Sequence, residues 1–194
     1  MRHPTAIPAI VDTPILWCDI ETTGLDPARG AILEVGFRLT GPDLKTVTEA
    51  SWVIHHGESV AADLVPNSHP TVRAMHGKNG LWVESALQRR TPSEPRAIRE
   101  WLTTLDLEGV PLAGSSVHFD AAWLGVHLPA GLDCMGMSHR HVDVSSWREM
   151  LQRTIPGAQI IASRPPARKL HRVMPDIDDS IMELAHYMAR LGLR

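Results

Sequence analysis

The first half of the chain alternates between short apolar runs and polar breaks, a pattern typical of β-strands. Three runs are predicted to form strands, over residues 15–20, 32–39 and 51–55. Parallel neighbours would need a crossover of about a dozen residues or more between them. The spacers here are shorter, so the three strands are predicted to form an antiparallel meander.

The pattern changes in the second half, where apolar residues recur every three or four positions. Helices are predicted over 95–105, 119–126, 145–153 and 176–191, after helical stretches over 65–90 that are broken at Pro70 and at 77–80. Strands predicted over 110–113 and 141–144 alternate with these helices, which implies crossovers and parallel pairing. The segment 155–170 contains three prolines and is predicted to be a loop. The predicted fold class is therefore α/β, with a mixed sheet that is antiparallel in the first half and parallel in the second.

Length and charge restrict the class of protein further. The 194 residues suit a single domain, with 1–13 as a flexible N-terminal segment. The 19 basic and 22 acidic residues give a net charge of −3, which argues against non-specific binding of long nucleic acids. Neither a membrane span nor a signal peptide is recognisable, so we expect a cytoplasmic protein without membrane contact. Cys18 and Cys134 are then expected to be free thiols.

Acidic residues stand at the ends of several predicted elements. Asp19 and Glu21 leave the end of the first strand on the same side of the sheet, where they either face solvent or hold a cation between them. Asp120 and Asp176 lie near the starts of helices, where an acid either stabilises the helix dipole or belongs to a site. His171 lies five residues before Asp176, in the predicted loop. Taken one at a time, these residues leave a structural and a functional interpretation open.

The order and surroundings of these residues are more specific. The chain reads DIETTGLD from Asp19, ILEVG from Ile32, GxSxxxD up to Asp120, and HxxxxD from His171 to Asp176. This series resembles the DEDDh family of 3′-to-5′ exonucleases, and most closely the oligoribonucleases. Three further segments agree with that family: Met75-His76 with Gly80-Leu81, Arg140-x-x-Asp143-Val144-Ser145-Ser146, and residues 170–184. The resemblance extends from about residue 15 to residue 190.

The resemblance implies an RNase H-like (DnaQ-like) fold, in which a mixed five-stranded sheet is flanked by helices, and a metal-dependent phosphodiesterase. It also implies that two divalent ions, Mg²⁺ or Mn²⁺, are held by Asp19, Glu21, Asp120 and Asp176, with Asp19 bridging. Hard cations prefer carboxylate oxygens, and a pair of them assists phosphodiester hydrolysis. His171 is then the candidate general base for the attacking water, and its position in a mobile loop would let it swing onto that water.

Substrate contacts are implied by the same resemblance. Leu25 would wedge between the two bases at the 3′ end, and His76 lies in a motif that is structural or belongs to a substrate loop. Ser116, Arg140 and Ser145 would hold a 5′ phosphate, in part from the second subunit of a homodimer. The expected substrate is short single-stranded RNA, dinucleotides included, cleaved from the 3′ end to nucleoside 5′-monophosphates.

The chain also departs from the family's pattern. Ser115 stands where the family commonly has asparagine, His139 where it commonly has tyrosine, and 70–72 lack an aromatic residue that often precedes the Met-His pair. These departures weaken the inference of a strict dinucleotide preference. One alternative is therefore a broader exonuclease that acts on DNA or on longer single strands, as proofreading and repair nucleases do. A second is an inactive module that binds nucleotides or a partner protein, although all four carboxylates and the histidine are present.

Three other groups of residues give a weaker indication of function. The spacing of two histidine groups fits no zinc pattern: His55, His56, His69 and His76, and Cys134 with His139 and His141. A local basic cluster either binds substrate or forms a solvated loop face: Arg164, Arg168, Lys169 and Arg172.

Overall fold

A computed structural model of the chain describes residues 13–87, 94–128, 132 and 135–193. Five strands form one sheet in the order β3-β2-β1-β4-β5. They are β1 Ile15–Thr22, β2 Ile32–Thr40, β3 Thr46–Val53, β4 Leu112–Gly114 and β5 His141–Asp143. β1 pairs with β2, and β2 with β3, in antiparallel fashion, whereas β4 is parallel to both β1 and β5. The predicted α/β fold with a mixed sheet is confirmed.

Helices cover both faces of this sheet. A π-helical turn at Val60–Leu64 is followed by α1 Val65–Asn67, α2 Pro70–Asn79, α3 Leu81–Ser85, α4 Glu94–Leu102, α5 Val117–His127, α6 Val144–Leu151, α7 Ile155–Ala162 and α8 Val173–Arg190. Helices α4 and α5 pack with the larger apolar core on one face, and α6, α7 and α8 with a second core on the other. Within the described residues, no helix combines the length and the apolar character needed to cross a bilayer.

The prediction of a loop over 155–170 is wrong, because α7 lies within it. Thr154 caps this helix, since its Oγ1 accepts a hydrogen bond from the backbone N–H of Gly157 at 3.1 Å. Pro156 occupies the first turn, where proline is favoured because its missing N–H would have no partner inside the helix. The threonine cap was the signal in the sequence that this prediction overlooked.

The other predicted boundaries differ less from those in the structure. The strand predicted over 51–55 runs from Thr46 to Val53, at a sheet edge where most side chains are partly or fully exposed. Pro70 begins α2 rather than breaking it, and Gly80, with a φ of 81°, ends it. The remaining strands and the helices α4, α5, α6 and α8 lie within three residues of their predicted bounds. Residues 1–12 and 88–93, and Cys134, lie outside the described part of the chain.

The two faces of β1 have different roles. Leu16, Cys18 and Ile20 point into the larger core. The alternate positions face α8, where Trp17 packs in the second core and Asp19 follows it two residues later. The strand therefore anchors itself on one face and presents carboxylates on the other.

Helix α8 approaches the sheet closely at Gly36 of β2. A Cβ atom at Gly36 would lie 2.7 Å from Cγ2 of Val173 and 2.9 Å from its Cβ. Gly36 is the register partner of Asp19 on β1. The missing side chain therefore lets the first turn of α8, which carries Asp176, lie beside the strand that carries Asp19.

Candidate active site

Four carboxylates and one histidine meet near the end of β1. Asp19 and Glu21 come from β1 itself, whereas Asp120 and Asp176 come from the first turns of α5 and α8. Ligand atoms of Glu21, His171 and Asp176 all lie within 4.8 Å of one another. Asp19 is close enough to Asp120, Glu21 and Asp176 for their charges to repel its own. The structure thus brings together the five residues that the sequence motifs predicted.

Burial is the largest influence on all four carboxyl groups, and it disfavours their charged form. It raises the pKa of Glu21 to about 8, and the charges of Asp176 and Glu34 add to the effect. The pKa of Asp120 rises to about 7 and that of Asp176 to about 6. The pKa of Asp19 lies well above its usual value, through burial first and then through its acidic neighbours. A cluster of acids perturbed in this way is typical of a cation site.

The carboxylate of Asp19 has an oxygen without a protein partner. Its Oδ2 is shielded from solvent and makes no hydrogen bond to any residue that the structure describes. An unpartnered buried oxygen of this kind is costly, and a cation beside it would remove the cost. A donor set made mainly of carboxylates suits hard ions such as Mg²⁺ and Mn²⁺. The residues present therefore fit divalent ions of this class.

His171 is exposed and has an unusual backbone conformation. Its φ of 53° lies in the left-handed region, which non-glycine residues rarely adopt. The carbonyl oxygen of His171 accepts a hydrogen bond from Nδ2 of Asn79 at 2.6 Å. The backbone around the candidate general base is therefore fixed by a contact from α2.

Arg172, the next residue, balances two acids beside the site. Its Nε and Nη2 donate to the two carboxylate oxygens of Glu34 at 2.8 and 3.0 Å. Its Nη1 and Nη2 donate to Glu84 at 2.8 and 2.9 Å. The arginine charge also lowers the pKa of Glu21, against the stronger influences that raise it. Sequence reasoning missed this role, although the acidic Glu34 inside an apolar strand was a signal.

Most side chains of the predicted basic cluster form ion pairs with acidic residues of the same chain. Arg168 binds Asp178 at 3.0 Å and Asp179 at 2.8 Å. Arg164 lies 3.6 Å from Glu183. These arginines thus hold the segment before α8 against that helix.

Two of the predicted phosphate contacts lie side by side. The hydroxyl oxygens of Ser116 and Ser145 are 3.0 Å apart. The backbone N–H groups of both serines donate to Oδ1 of Asp143, at 2.9 and 3.0 Å. Arg140 directly precedes β5 and Ser145 follows it, and the exposed guanidinium of Arg140 has no partner among the described residues. Asp143, which organises the two serines, was quoted in a motif but not predicted as a site residue.

Leu25 and His76 have contrasting environments. The side chain of Leu25 is 81% exposed, just beyond the end of β1. His76 is fully buried, and its Nε2 hydrogen-bonds the carbonyl oxygen of Thr22 at 3.2 Å and lies 3.5 Å from Oε2 of Glu21. Burial lowers the pKa of His76 to about 4, so its ring is neutral near pH 7. His76 therefore supports the strand end behind Glu21 and has no surface for a direct substrate contact.

A groove of about 590 Å³ adjoins the exposed side of His171. It runs between α2 and the segment 169–171, and its lining includes Met75, Lys78 and Lys169. The two lysines give it positive charge, while the methionine offers an apolar surface. An anionic ligand in this groove would lie next to the carboxylate cluster.

The histidines considered for zinc each have a different contact. His55 binds Oε1 of Glu94 at 2.7 Å, and His56 binds the carbonyl oxygen of Ile32 at 2.8 Å. His69 caps the start of α2. These three residues and the buried His76 therefore serve local structure.

The fold of the chain is similar to that of exonuclease I. Exonuclease I from E. coli, in a complex with single-stranded DNA, superposes with a TM-score of 0.61 at 12% identity over 94% of this chain. Exonuclease I from Methylocaldum szegediense gives 0.62 at 15% identity over 92% of it. The chain spans 42% and 41% of those two chains. At these identities the likeness establishes the fold alone, and it confirms the predicted RNase H-like exonuclease architecture.

Sequence relatives define the family more narrowly. The oligoribonuclease of Paracidovorax citrulli is 32% identical over 97% of this chain and 96% of its own length. The oligoribonuclease of Tropheryma whipplei is 33% identical over 92% and 94%, and the mitochondrial oligoribonuclease of Mus musculus 30% identical over 89% and 71%. The chain therefore belongs to the oligoribonuclease family, as its motifs predicted. A comparison with models of protein families gives no match.

Proposed function

We propose that this protein is a 3′-to-5′ exoribonuclease that hydrolyses short oligoribonucleotides, dinucleotides included, to nucleoside 5′-monophosphates. The observation that carries the proposal is the convergence of four carboxylates and His171 at the end of β1. In a member of the oligoribonuclease family, that convergence supports a metal-dependent phosphodiesterase.

We assign Asp19, Glu21, Asp120 and Asp176 as the residues that would hold two divalent ions, Mg²⁺ or Mn²⁺. Bound there, such ions would offset charge on the phosphoryl oxygens and favour deprotonation of the attacking water. His171 accepts the proton of that water, because its exposed imidazole lies beside Glu21 and Asp176 at the open side of the cluster.

We propose that two further groups of residues bind the two ends of the substrate. The exposed side chain of Leu25 separates the last two bases at the 3′ end. The paired hydroxyls of Ser116 and Ser145 bind a 5′ phosphate together with Arg140, since a guanidinium can donate two parallel hydrogen bonds to phosphate. A site bounded in this way at its 5′ side favours short chains.

We propose further that the active form is a homodimer. Arg140 and Ser145 lie at opposite ends of β5, and the exposed guanidinium has no partner among the described residues, so it is available to the site of a second copy. Exposed apolar side chains lie on the nearby helices α6 and α7, where Met150 is 69% and Ile155 83% exposed. Such a surface is suited to burial between subunits.

A subunit-mixing experiment tests this arrangement. Light scattering after gel filtration should give twice the mass of the chain. Arg140→Ala and Asp19→Asn subunits, each inactive alone, should regain activity when mixed, because one hybrid site then combines intact carboxylates with an intact Arg140 from the other copy. A monomeric mass, or no recovery in a mixture that exchanges subunits, would contradict the proposal.

A series of labelled RNA and DNA oligonucleotides, from dinucleotides to long oligomers, tests the activity with Mg²⁺ and with Mn²⁺. We expect the highest rate on the shortest RNA and a decline with length. Equal rates on long oligomers would contradict the bounded site, and a preference for DNA would support the broader exonuclease. Hydrolysis of none of them would support an inactive binding module.

Asp19→Asn tests the role of the carboxylate cluster in the same assay. We expect the rate to fall by about 10³-fold or more, because several kcal/mol of charge stabilisation depend on the carboxylates. Asp43→Asn is the matched control, since Asp43 is a surface acid that pairs with Lys45 at 2.8 Å in the β2–β3 turn. An undiminished rate in Asp19→Asn would overturn the assignment.

A further inference from the structure

The side chain of Asn79 joins the end of α2 to the segment that carries His171. Its Nδ2 donates to the carbonyl oxygen of His171 at 2.6 Å and reaches that of Leu170 at 3.5 Å. Its Oδ1 accepts from the backbone N–H of Leu81, at the start of α3, at 3.1 Å. The one amide group therefore binds both the following helix and the histidine segment.

The orientation of this amide is fixed by its partners. The backbone N–H of Leu81 can only donate, so it requires the oxygen of Asn79. The carbonyl of His171 can only accept, so it requires the nitrogen. If the amide were flipped, its NH₂ group would face the N–H of Leu81 and its oxygen would face the carbonyl oxygen of His171. Gly80, with a φ of 81°, ends α2 immediately after Asn79, and the N–H of Leu81 that follows it donates to the Asn79 side chain.

The backbone of segment 169–171, which carries His171, adopts a conformation that needs support from neighbouring residues. Lys169 and His171 have φ values of 52° and 53°, in the left-handed region. Non-glycine residues keep such conformations only where neighbouring structure stabilises them. Arg168 fixes the start of the segment through Asp179, and Arg172 fixes its end through Glu34. Asn79 binds the backbone between these two anchors.

We propose that Asn79 is a positioning residue, which holds the backbone of His171 so that the imidazole stays beside Glu21 and Asp176. Asn79 also lines the groove beside His171, but its amide is already engaged with Leu81 and His171, so we assign its effect to the histidine. The catalytic consequence rests on the proposed function, in which His171 is the general base. The contact itself does not depend on that function.

Two substitutions separate the contact to His171 from the contact to Leu81. Asn79→Asp keeps an acceptor for the N–H of Leu81 but turns a second oxygen toward the carbonyl of His171. Asn79→Ala removes both contacts. We expect kcat on a dinucleotide to fall by about 10- to 100-fold in both variants, with KM changed less than about threefold, because the general base is displaced while substrate contacts remain.

The melting temperature should fall in Asn79→Ala more than in Asn79→Asp, since only the alanine also loses the contact to Leu81. Asn67→Asp on α1 is the control for an added carboxylate, and its kcat should stay within about twofold of the parent protein. A loss of kcat in Asn79→Asp alone would mean that the new charge, not the lost donor, acts on the site. That result, or unchanged kcat in both variants, would overturn the proposal.

Hydrogen exchange gives a readout that is independent of catalysis. The backbone amides of Arg168 and Val173 donate to Asp179 and Glu34 at the two ends of this segment, and they should exchange at least about tenfold faster in both Asn79 variants than in the parent protein, and not in Asn67→Asp. If the parent protein hydrolysed no oligonucleotide, the proposed function would be wrong. Hydrogen exchange would still test whether Asn79 holds the backbone of His171. Unchanged exchange at Arg168 and Val173 would overturn the positioning role whatever the activity.

Discussion

Glu34 of β2 lies directly opposite Glu21 of β1 in the antiparallel pair, and both side chains are buried. Like charges at such positions repel each other, and Glu34 contributes to the raised pKa of Glu21. Arg172 offsets this repulsion by binding both oxygens of Glu34. Arg172, the residue next to the candidate general base, therefore offsets the negative charge of the two glutamates on β1 and β2.

Arg172→Met should destabilise the fold, because it leaves the carboxylate of Glu34 buried without a counter-charge. We expect the free energy of unfolding to fall by about 2 to 3 kcal/mol, at the low end for a broken buried pair since the guanidinium is partly exposed. Urea unfolding in EDTA measures the change. The double variant Arg172→Met/Glu34→Gln should recover part of the loss, and a double variant no more stable than the single one would contradict this account.

Gly36→Ala should affect both stability and activity through the position of α8. The added Cβ would lie 2.7 Å from a methyl carbon of Val173, so the first turn of α8 must move away from the sheet. We expect a loss of about 1 to 3 kcal/mol in unfolding free energy and a fall in kcat, because Asp176 moves with that turn. Gly125→Ala on α5, where nothing lies within 4 Å of the added atom, should instead be neutral or stabilising. Equal effects of the two substitutions would contradict the close-packing argument.

The carboxylate cluster could be predicted because its signals are local. Asp19 and Glu21 end an apolar strand, and Asp120 and Asp176 begin helices, so short motifs carry them. The strands β1 and β2 and the helix α8 have equally clear patterns, and their predicted bounds agree with the structure. The failure at α7 was also local, since Pro156 was interpreted as a loop residue although Thr154 caps a helix there.

The pairings around the cluster could not be predicted, because they join distant parts of the chain. Arg172 reaches Glu34 across 138 positions and Glu84 across 88. Asn79 reaches His171 across 92 positions. The sequence near Arg172 does not show whether this arginine neutralises buried acids or faces solvent. The interpretation as part of a basic cluster therefore fitted the sequence equally well.

The stability of the metal-free protein should depend on pH in a direction set by the raised carboxyl pKa values. In the unfolded chain these acids lose their protons near pH 4, whereas folded Asp176, Asp120 and Glu21 retain them up to about pH 6, 7 and 8. The folded state thus binds more protons than the unfolded state between these limits, and the free energy of unfolding falls as pH rises through this window. Urea titrations in EDTA at pH 5 and pH 8 measure the slope.

Two controls identify the source of this pH dependence. Asp120→Asn should reduce the slope by removing one of the titrating groups. Saturating Mg²⁺ should reduce it as well, because a cation favours the charged carboxylates of the folded state. Stability that rose from pH 5 to pH 8 in EDTA would contradict the assignment of raised pKa values to the cluster.

Leu25→Ala tests the proposed wedge with little effect on the fold. Leu25 is 81% exposed, so its truncation should change the free energy of unfolding by less than about 0.5 kcal/mol. A leucine side chain buried between two bases is worth about 1.5 to 3 kcal/mol, so kcat/KM on a dinucleotide should fall by about 10- to 100-fold. Val83→Ala on α3, where the valine is 73% exposed, is the matched control and should leave kcat/KM unchanged. If the two truncations had the same effect on kcat/KM, Leu25 would be an ordinary surface residue, and base separation would have to be assigned to another residue.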